Sequence, residues 1–536
     1  MAMRVTTKMM QNTSLRNLNT SKAREEKLLV QLATGKKISR PSDDPVIAIR
    51  ALKLNSSLDK INQYYEKNAK DAESWLGLTD SAIATVNKIL TGEQGIRQYF
   101  EQAATGHLDG DDRKKILDNI SKLVEEIYST GNASSAGRSL FTGYRTNLPL
   151  TFNKAKEENY AITEQLTNES IDQITYIKQG DLPAINEGNF NTVNTNEYYV
   201  SANDIYRIRL AYKDTAAIKQ KVDANGNPKT DANGNPVYDR NITLSFGDFS
   251  NGGVTKTYSA ENGDIRCFEN ATEDAYAFAI ENPDKMVYIA ETGEVLLGND
   301  IQKELSELSS NTEIRVSYEK ENWKVGDLDP IHYFYTERKE PVTDRTLKYN
   351  PGFLEGGSKQ IIEYDIGNNQ TIRVNTTADE VFDHGIGRDA DELVNMLQQY
   401  GTLDNNYKTV QEMIASNKYE GEDLTKLEQH LEAIGKARTM MRDKIEKQCG
   451  AMLTRVDGYI ANCTLAETSC GSRESQLTLV QNRLGVQKEN YEELVSSNED
   501  ADYPDLAIQL NSIRMTYQAA LSSISYVMQT SLLDFI

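Results

Sequence analysis

The residues best able to do chemistry are few and scattered. Four histidines (His107, His332, His384, His430) and four cysteines (Cys267, Cys449, Cys463, Cys470) occur in 536 residues. None falls into the close Cys/Cys or Cys/His pairs that zinc requires. His384 follows Asp383, which has the look of a general base beside its orienting carboxylate. No G-x-S-x-G elbow, Walker loop or H-E-x-x-H pair accompanies it. The ring is therefore expected at the surface, at a strand end, and no catalytic, cofactor-binding or metal-binding residue is assigned. Gly252-Gly253 and Gly356-Gly357 lack the strand-to-helix setting of a phosphate site and read as turns. The six residues from Asp223 (Asp-Ala-Asn-Gly-Asn-Pro) recur from Asp231. Their oxygens alternate as in a calcium loop, but Pro228 and Pro236 stand where such a loop needs glycine, and the bidentate glutamate is missing. A solvated turn-rich loop is the expectation.

The elements that would hold these residues are helical at both ends. Leu58, Tyr65, Ala72, Thr79 and Val86 fall seven apart, flanked by Leu54, Ile61, Trp75, Ala82 and Ile89, so one apolar stripe faces a partner helix. Asp44 is placed to cap that helix with Pro45 in its first turn. Gly106 and Gly110 mark its stop, and Asp111 or Asp112 begins a second helix running to about Thr130. Before it, Thr7 to Ala33 is a weaker helix. Leu15, Leu18, Leu29 and Leu32 form its stripe, interrupted by Lys22 and Glu25, and it needs neighbours to be stable.

The C-terminal third repeats the pattern through Leu424–Met452 and Leu477–Leu494. A break at Asp502-Tyr503-Pro504 precedes a last seam of Leu506, Leu510, Ile513, Tyr517, Ala520, Ile524 and Val527, then Leu532, Leu533, Phe535 and Ile536. An apolar extremity wants burial. On a continuous helix Cys449, Cys463 and Cys470 share a heptad phase, which makes them small residues in a seam. Between about Gln179 and His384 short alternating runs replace the helical period. Ile205–Tyr212, Ile314–Tyr318, Ile361–Ile366 and Thr371–Val374 read as strands, and Met286–Ile289 and Val295–Leu297 as a hairpin.

The fold class is thus mainly α with a β insertion: a long antiparallel coiled coil or bundle from both termini plus a central β-rich domain. The expected segments are a core helix over 1–44, one half of a helical domain over 45–170 and a β-rich outer domain over 171–395. The other helical half covers 396–500, and a second core helix covers 501–536.

Charge narrows the function. Net charge is −21, from 59 Lys and Arg against 80 Asp and Glu, and the densest basic cluster (Lys36, Lys37, Arg40) lies beside Asp43 and Asp44. No nucleic-acid partner is expected. No run approaches the ~20 apolar residues of a membrane span. Met1 to Asn19 lacks the apolar block of a secretory signal, which by itself points to the cytoplasm.

Several stretches resemble a known family. Leu32-Ala-Thr-Gly-Lys-Lys-Ile-Ser-Arg-Pro-Ser-Asp-Asp-Pro-Val-Ile-Ala-Ile-Arg50 is similar to the N-terminal signature of flagellins and FlgL-type hook-associated proteins. Asp43-Asp44-Pro45-Val46 resembles the FlgL version, where flagellins carry Asp-Asp-Ala-Ala. Gly137-Arg-Ser-Leu-Phe-Thr-Gly143 is similar to a Gly-Arg-Tyr-Leu-Phe-x-Gly element, Ser139 replacing its aromatic. Asn498–Tyr503 and Ser531–Ile536 resemble the end of FlgL-type chains. Trp323–Phe334, Ile361–Asn375 and Gly387–Leu393 resemble the middle domain of clostridial-type relatives.

The resemblance implies a structural subunit of the bacterial flagellum, not an enzyme, at the junction between hook-associated proteins and the flagellin filament. It implies export without a cleaved signal, hence an extracellular place on the flagellum. Implied partners are the chain itself in a ring of about 11 copies, the preceding junction protein FlgK, flagellin and the export chaperone FlgN. Leu15, Leu18, Leu29, Leu32, Leu510, Ile513, Tyr517, Ile524, Leu532, Leu533 and Phe535 are the expected assembly residues. Two alternatives stand beside this: a flagellin subunit of the filament itself, and an adhesin using the β domain. The three C-terminal cysteines depart from what the family leads one to expect.

Overall fold

The computed structural model describes residues 7–105, 110–178, 184–195, 201–222, 229–230, 237–249, 253–309, 312–340, 345–355 and 360–533. The duplicated hexapeptide, His107, Gly106 and Phe535 lie outside the described residues. The helices are α1 (Thr7–Thr34), α2 (Pro45–Asn62), α3 (Lys70–Thr91), α4 (Ile96–Ala104), α5 (Gly110–Thr130), α6 (Glu273–Glu281), α7 (Asn299–Ser306), α8 (His384–Ala415), α9 (Glu422–Glu499) and α10 (Tyr503–Leu533). The strands are β1 (Ser134–Ser135), β2 (Arg138–Ser139), β3 (Lys156–Leu166), β4 (Ile171–Lys178), β5 (Ser201–Arg209), β6 (Thr243–Asp248), β7 (Gly253–Ser259) and β8 (Ile265–Phe268). They continue with β9 (Met286–Ile289), β10 (Glu294–Leu297), β11 (Glu313–Trp323), β12 (Tyr335–Lys339), β13 (Thr346–Tyr349), β14 (Glu363–Gly367) and β15 (Gln370–Arg373). The chain forms two compact units: Met1–Glu73 with Tyr364–Ile372 and Ser475–Ile536, and Ser74–Glu363 with Arg373–Glu474.

In the first unit the chain enters α2 through two consecutive carboxylates with different tasks. Asp43 accepts from the Ser39 and Arg40 amides at 3.2 and 2.9 Å, closing the loop. Asp44 accepts from the Val46 and Ile47 amides at 3.0 and 3.1 Å, capping the helix whose first residue is Pro45. Hydrogen bonding to the Arg40 amide holds the Asp43 carboxyl below its ordinary range. A π-helical turn, Gln63–Ala69, joins α2 to α3. Antiparallel to α2 runs the end of α9: the Asn498 amide donates to the Ile47 carbonyl at 3.2 Å, Asn55 to Glu499 at 2.7 Å, and Lys488 pairs with Glu66 at 2.9 Å.

In the second unit α3 presents Trp75, Leu76, Thr79, Ile83, Val86 and Leu90, all buried. The helix stops at Thr91 instead of continuing to Gly106. Gly92 and Gly95 turn the chain, and a Cβ on Gly95 would lie 2.6 Å from the Ile89 carbonyl, an approach only glycine permits. α4 follows, and α5 runs from Gly110 to Thr130 as its spacing predicts. Cys463 and Cys470 are buried, their thiols directed at the Ile83 and Leu76 carbonyls at 3.6 and 3.5 Å. Burial pushes them up to about 12 and about 11, Cys449 to about 12. Thiols so protonated pack as small hydrophobes.

Two sheets make the β region: β13-β12-β3-β11-β6-β7, and β4-β5-β10-β9-β8. Period-two alternation, with both faces of the sheet covered, explains why β9 and β10 are buried at every position. Met286, Tyr288, Val295 and Leu297 enter the core shared by the sheets. Val287, Ile289 and Leu296 face the other side, against Ala275 and Ala279 of α6. The hairpin between them turns at Gly293, whose φ is +60°. β3 precedes residue 171, where the β region was expected to begin, and forms the middle of its sheet by pairing with both β11 and β12.

A buried ion cluster fastens this region to α8 and α9. Arg207 on β5 bonds Asp172 at 2.8 Å, Glu392 at 2.7 Å and also Glu294. Arg209 reaches Asp389 at 2.7 Å, and Arg455 meets the same carboxylate at 2.7 Å. Burial alone would raise Glu392, but Arg207 and Arg209 hold its carboxyl at about 2. His384 corrects the expectation of a surface histidine at a strand end. It is the first residue of α8, among Tyr212, Tyr333 and Phe334, with Nε2 2.9 Å from the Tyr212 hydroxyl. Desolvation lowers it to about 3. Asp383 does not orient it; that carboxylate caps α8 by accepting from the Gly385 amide at 2.7 Å.

Candidate functional site

The residues singled out from the sequence lie on α1 and α10, which pair in the first unit. On α10 the expected stripe is real: Leu506 and Leu510 are buried, and Ile513, Tyr517, Ala520 and Ile524 are half-buried at intervals of three and four. On α1 the stripe is displaced. Leu28 is the buried residue, in one cluster with Leu506 and Leu510, and Leu32 and Ile513 pack against it. Leu18 is half-buried, but Leu15 and Leu29 are exposed. The seam runs through Ser14, Leu18, Ser21, Glu25, Leu28 and Leu32, so Leu15 and Leu29 sit off to one side. Leu532 and Leu533 fall in the last turn of α10, and Phe535 outside the described residues.

Glu25, which interrupts the apolar pattern, belongs to the seam: its carboxylate accepts from Arg514 of α10 at 3.0 Å. A half-polar, two-helix seam buries little apolar area. The facing pairs 28/510 and 25/514 also establish that the helices run antiparallel.

Where α1 and α10 meet the rest of their unit, two loops close on each other. The Lys37 amide donates to the Glu499 carbonyl at 2.7 Å and the Ala501 amide to the Gly35 carbonyl at 2.9 Å, an antiparallel bridge between Lys36 and Asp500. The Lys36 ammonium lies 2.6 Å from Asp500 and 3.3 Å from Glu499. The Lys36 hydrogen bond holds the Asp500 carboxyl low, and the same bond raises Lys36. Gly35 has φ +69°, and a Cβ there would fall 2.8 Å from the Tyr503 hydroxyl. Residues 32–50 and 498–503, two distant stretches of signature, are thus two sides of one latch. Sequence reasoning missed this joint. Its signals were the charge opposition of Lys36 and Lys37 to Glu499 and Asp500, and a glycine between polar residues.

The third signature stretch, Gly137–Gly143, starts in the tight turn between β1 and β2 and contains β2, in the second unit. Phe141 meets Phe382 edge-on at 4.9 Å, and Arg138 lies 4.9 Å from the ring centre of Trp75. Gly143, at φ +59°, abuts Gln360. Among the described residues no group of His, Cys, Asp and Glu could hold a metal ion, and no helix is long and apolar enough to cross a membrane.

Comparison with known proteins agrees with these signatures. Residues 5–146 match the family model described as bacterial flagellin N-terminal helical region. Flagellar hook-associated protein 3 of Escherichia coli (strain K12) is 30% identical over 156 residues, 29% of this chain and 48% of that protein. The chain therefore spans about half the length of that relative. A flagellin of Clostridium tyrobutyricum is 27% identical over 126 residues, 24% of this chain and 32% of its own. The crystal structure of FlgL from Xanthomonas campestris aligns with 83% of this chain and 99% of its own at 11% identity, with a TM-score of 0.28 that is too low to argue from. Over these stretches the chain resembles flagellar hook-associated proteins of the FlgL type.

Proposed function

We propose that this chain is a structural subunit of the bacterial flagellum that forms the junction between hook-associated proteins and the flagellin filament. The observation that carries the reading is the terminal pair with its latch. Two loops hold α1 and α10 together, yet among the described residues the seam between them buries only Leu28, Leu506 and Leu510. Leu15, Leu29, Val30, Ile508 and Met515 are left exposed. Helices so poorly covered gain their remaining burial from neighbouring subunits, and association carries the cost of ordering them. The partners are other copies of the chain in a ring of about 11, FlgK on one side and flagellin on the other, with FlgN holding the chain before signal-less export. Assembly residues are those of the terminal stripes.

A strain lacking the chain should make hooks without filaments and spill flagellin into the medium. Antibody against the β region should label one short zone at the hook end of each wild-type filament. The similarity to a clostridial flagellin favours one rival, the filament subunit itself. Label along the whole filament would establish that rival and end the junction reading.

A further inference from the structure

The two helices that flank the latch each carry a second face, turned away from the seam they share. On α2, Leu54, Leu58 and Ile61 turn inward, half-buried or buried. Val46, Ile49, Lys53, Ser56 and Lys60 recur at intervals of three and four on the opposite side, all exposed. On the last stretch of α9, Leu477, Val480 and Leu484 are buried, and Leu479, Asn482, Val486, Glu489 and Glu493 recur with the same spacing outside. Val46 and Ile49 are 71% and 57% exposed, Leu479 and Val486 72% and 59%. Large apolar side chains so open, in register with a heptad stripe, are a surface awaiting cover.

What covers them is indicated by charge. Residues 1–62 hold twelve Lys and Arg against five Asp and Glu, and residues 489–536 hold one against eight. The excess shows on the two outer faces: Lys53 and Lys60 on α2, Glu489 and Glu493 on α9. None of these four has an ion-pair partner among the described residues. Each face is apolar toward the N-terminal end of its stripe and charged toward the C-terminal end, with opposite signs. One face therefore complements the other and repels itself.

The geometry points to a docking interface between copies of this chain, in which the basic outer face of α2 on one copy receives the acidic outer face of α9 on the next. Because the two faces differ, the contact is heterologous and propagates from copy to copy, closing into a ring or a helical array. Like-charge repulsion between two α2 faces or two α9 faces disfavours a closed two-fold dimer. The inference rests on the reading of the chain as an assembling subunit, and it names the surface that does the assembling.

Sedimentation equilibrium on the full chain, over a range of concentration and salt, tests it. The chain should self-associate, and less so as salt rises. The reversals Lys53→Glu/Lys60→Glu and Glu489→Lys/Glu493→Lys should each weaken association at least about tenfold, with circular dichroism unchanged. An equimolar mixture of the two should regain it, since each supplies the sign the other has lost. Ile49→Gln with Val486→Gln, which leaves all charges in place, should weaken association at every salt concentration. A chain that stays monomeric, reversals without effect, or a mixture that fails to recover would overturn the proposal. Label confined to the filament junction together with charge-insensitive association would remove this interface and leave the functional reading standing. Charge-dependent association by a chain absent from flagella would do the reverse.

Discussion

The Glu25 carboxylate of α1 accepts a hydrogen bond from the Arg514 guanidinium of α10 at 3.0 Å, across a seam whose other facing residues are small or apolar. Arg514 is about half exposed and Glu25 less so. An ion pair this open contributes within ~1 kcal/mol. Its effect is on register, because shifting either helix by one turn sets Glu25 against leucine or tyrosine. Glu25→Ala should leave the thermal transition of the second unit unchanged and speed amide exchange in α10. Glu25→Arg, which sets two guanidiniums face to face, should speed it more. Unaltered exchange in both would show that the pair does not fix the register.

At the latch, Gly35→Ala forces a side chain into left-handed backbone beside the Tyr503 hydroxyl. A cost of about 1–2 kcal/mol is expected. It should appear as lost amide protection at residues 37 and 501, with the β region untouched.

The same joint should depend on pH. Asp500 is held below its ordinary value by Lys36. A carboxyl lowered on folding lends stability that is present above its unfolded pKa and lost as pH falls through the folded one. Protection at residues 37 and 501 should thus be retained near neutrality and decline in acid. Asp500→Asn should flatten that dependence.

Glu164 behaves oppositely. It is buried in β3, bonded to the Tyr318 hydroxyl and the Ala211 amide, the latter at 2.8 Å, and desolvation pushes it up to about 7. From the ordinary carboxyl range up to about pH 7 the folded chain keeps this proton and the unfolded chain does not, so its contribution to stability falls as pH rises. Glu164→Gln should remove that slope, and the variant should gain on the wild type in urea melts as the buffer moves from pH 5 to pH 8. A constant difference between the two would refute the assignment.

Two lesions should separate folding from assembly. Ile61 is buried in the first unit, and Ile61→Asp places an uncompensated charge there, at a cost of about 3–5 kcal/mol. The chain should lose helix in solution before any question of assembly arises. Removing Leu532 to Ile536 should leave the β region with its full thermal transition and block incorporation into flagella. Equal, mild effects from both would contradict that division.

Much of the architecture could be read from spacing, and the exceptions have physical causes. The α10 stripe was legible because six apolar positions repeat without interruption. The α1 stripe was misplaced by one helical face because its seam includes Ser14, Ser21 and Glu25, residues a hydropathy pattern discards. β3 was missed as a strand because Lys156, Glu157, Glu158, Glu164 and Gln165 make it look like a solvated segment, although Glu164 is buried and hydrogen-bonded. The Arg207, Arg209, Asp389 and Glu392 cluster was invisible for a related reason. Its basic pair and its acidic pair stand far apart in the chain, and a charged residue alone reads as surface until its partner is brought to it. His384 followed the same rule, its burial being set by three aromatic rings from elsewhere.

The backbone bridge at Lys36 and Asp500 joins residues 464 positions apart. The polypeptide therefore leaves α1 and re-enters α10 through one doorway only a few ångströms wide. Topologically, α1 and α10 are a helical hairpin whose turn is the whole stretch of chain between them. A linker of a few residues could replace that excursion at little cost in loop-closure entropy. Conversely, the intervening domains are free to lengthen or diversify without disturbing the hairpin, so long as both threads still pass the doorway side by side.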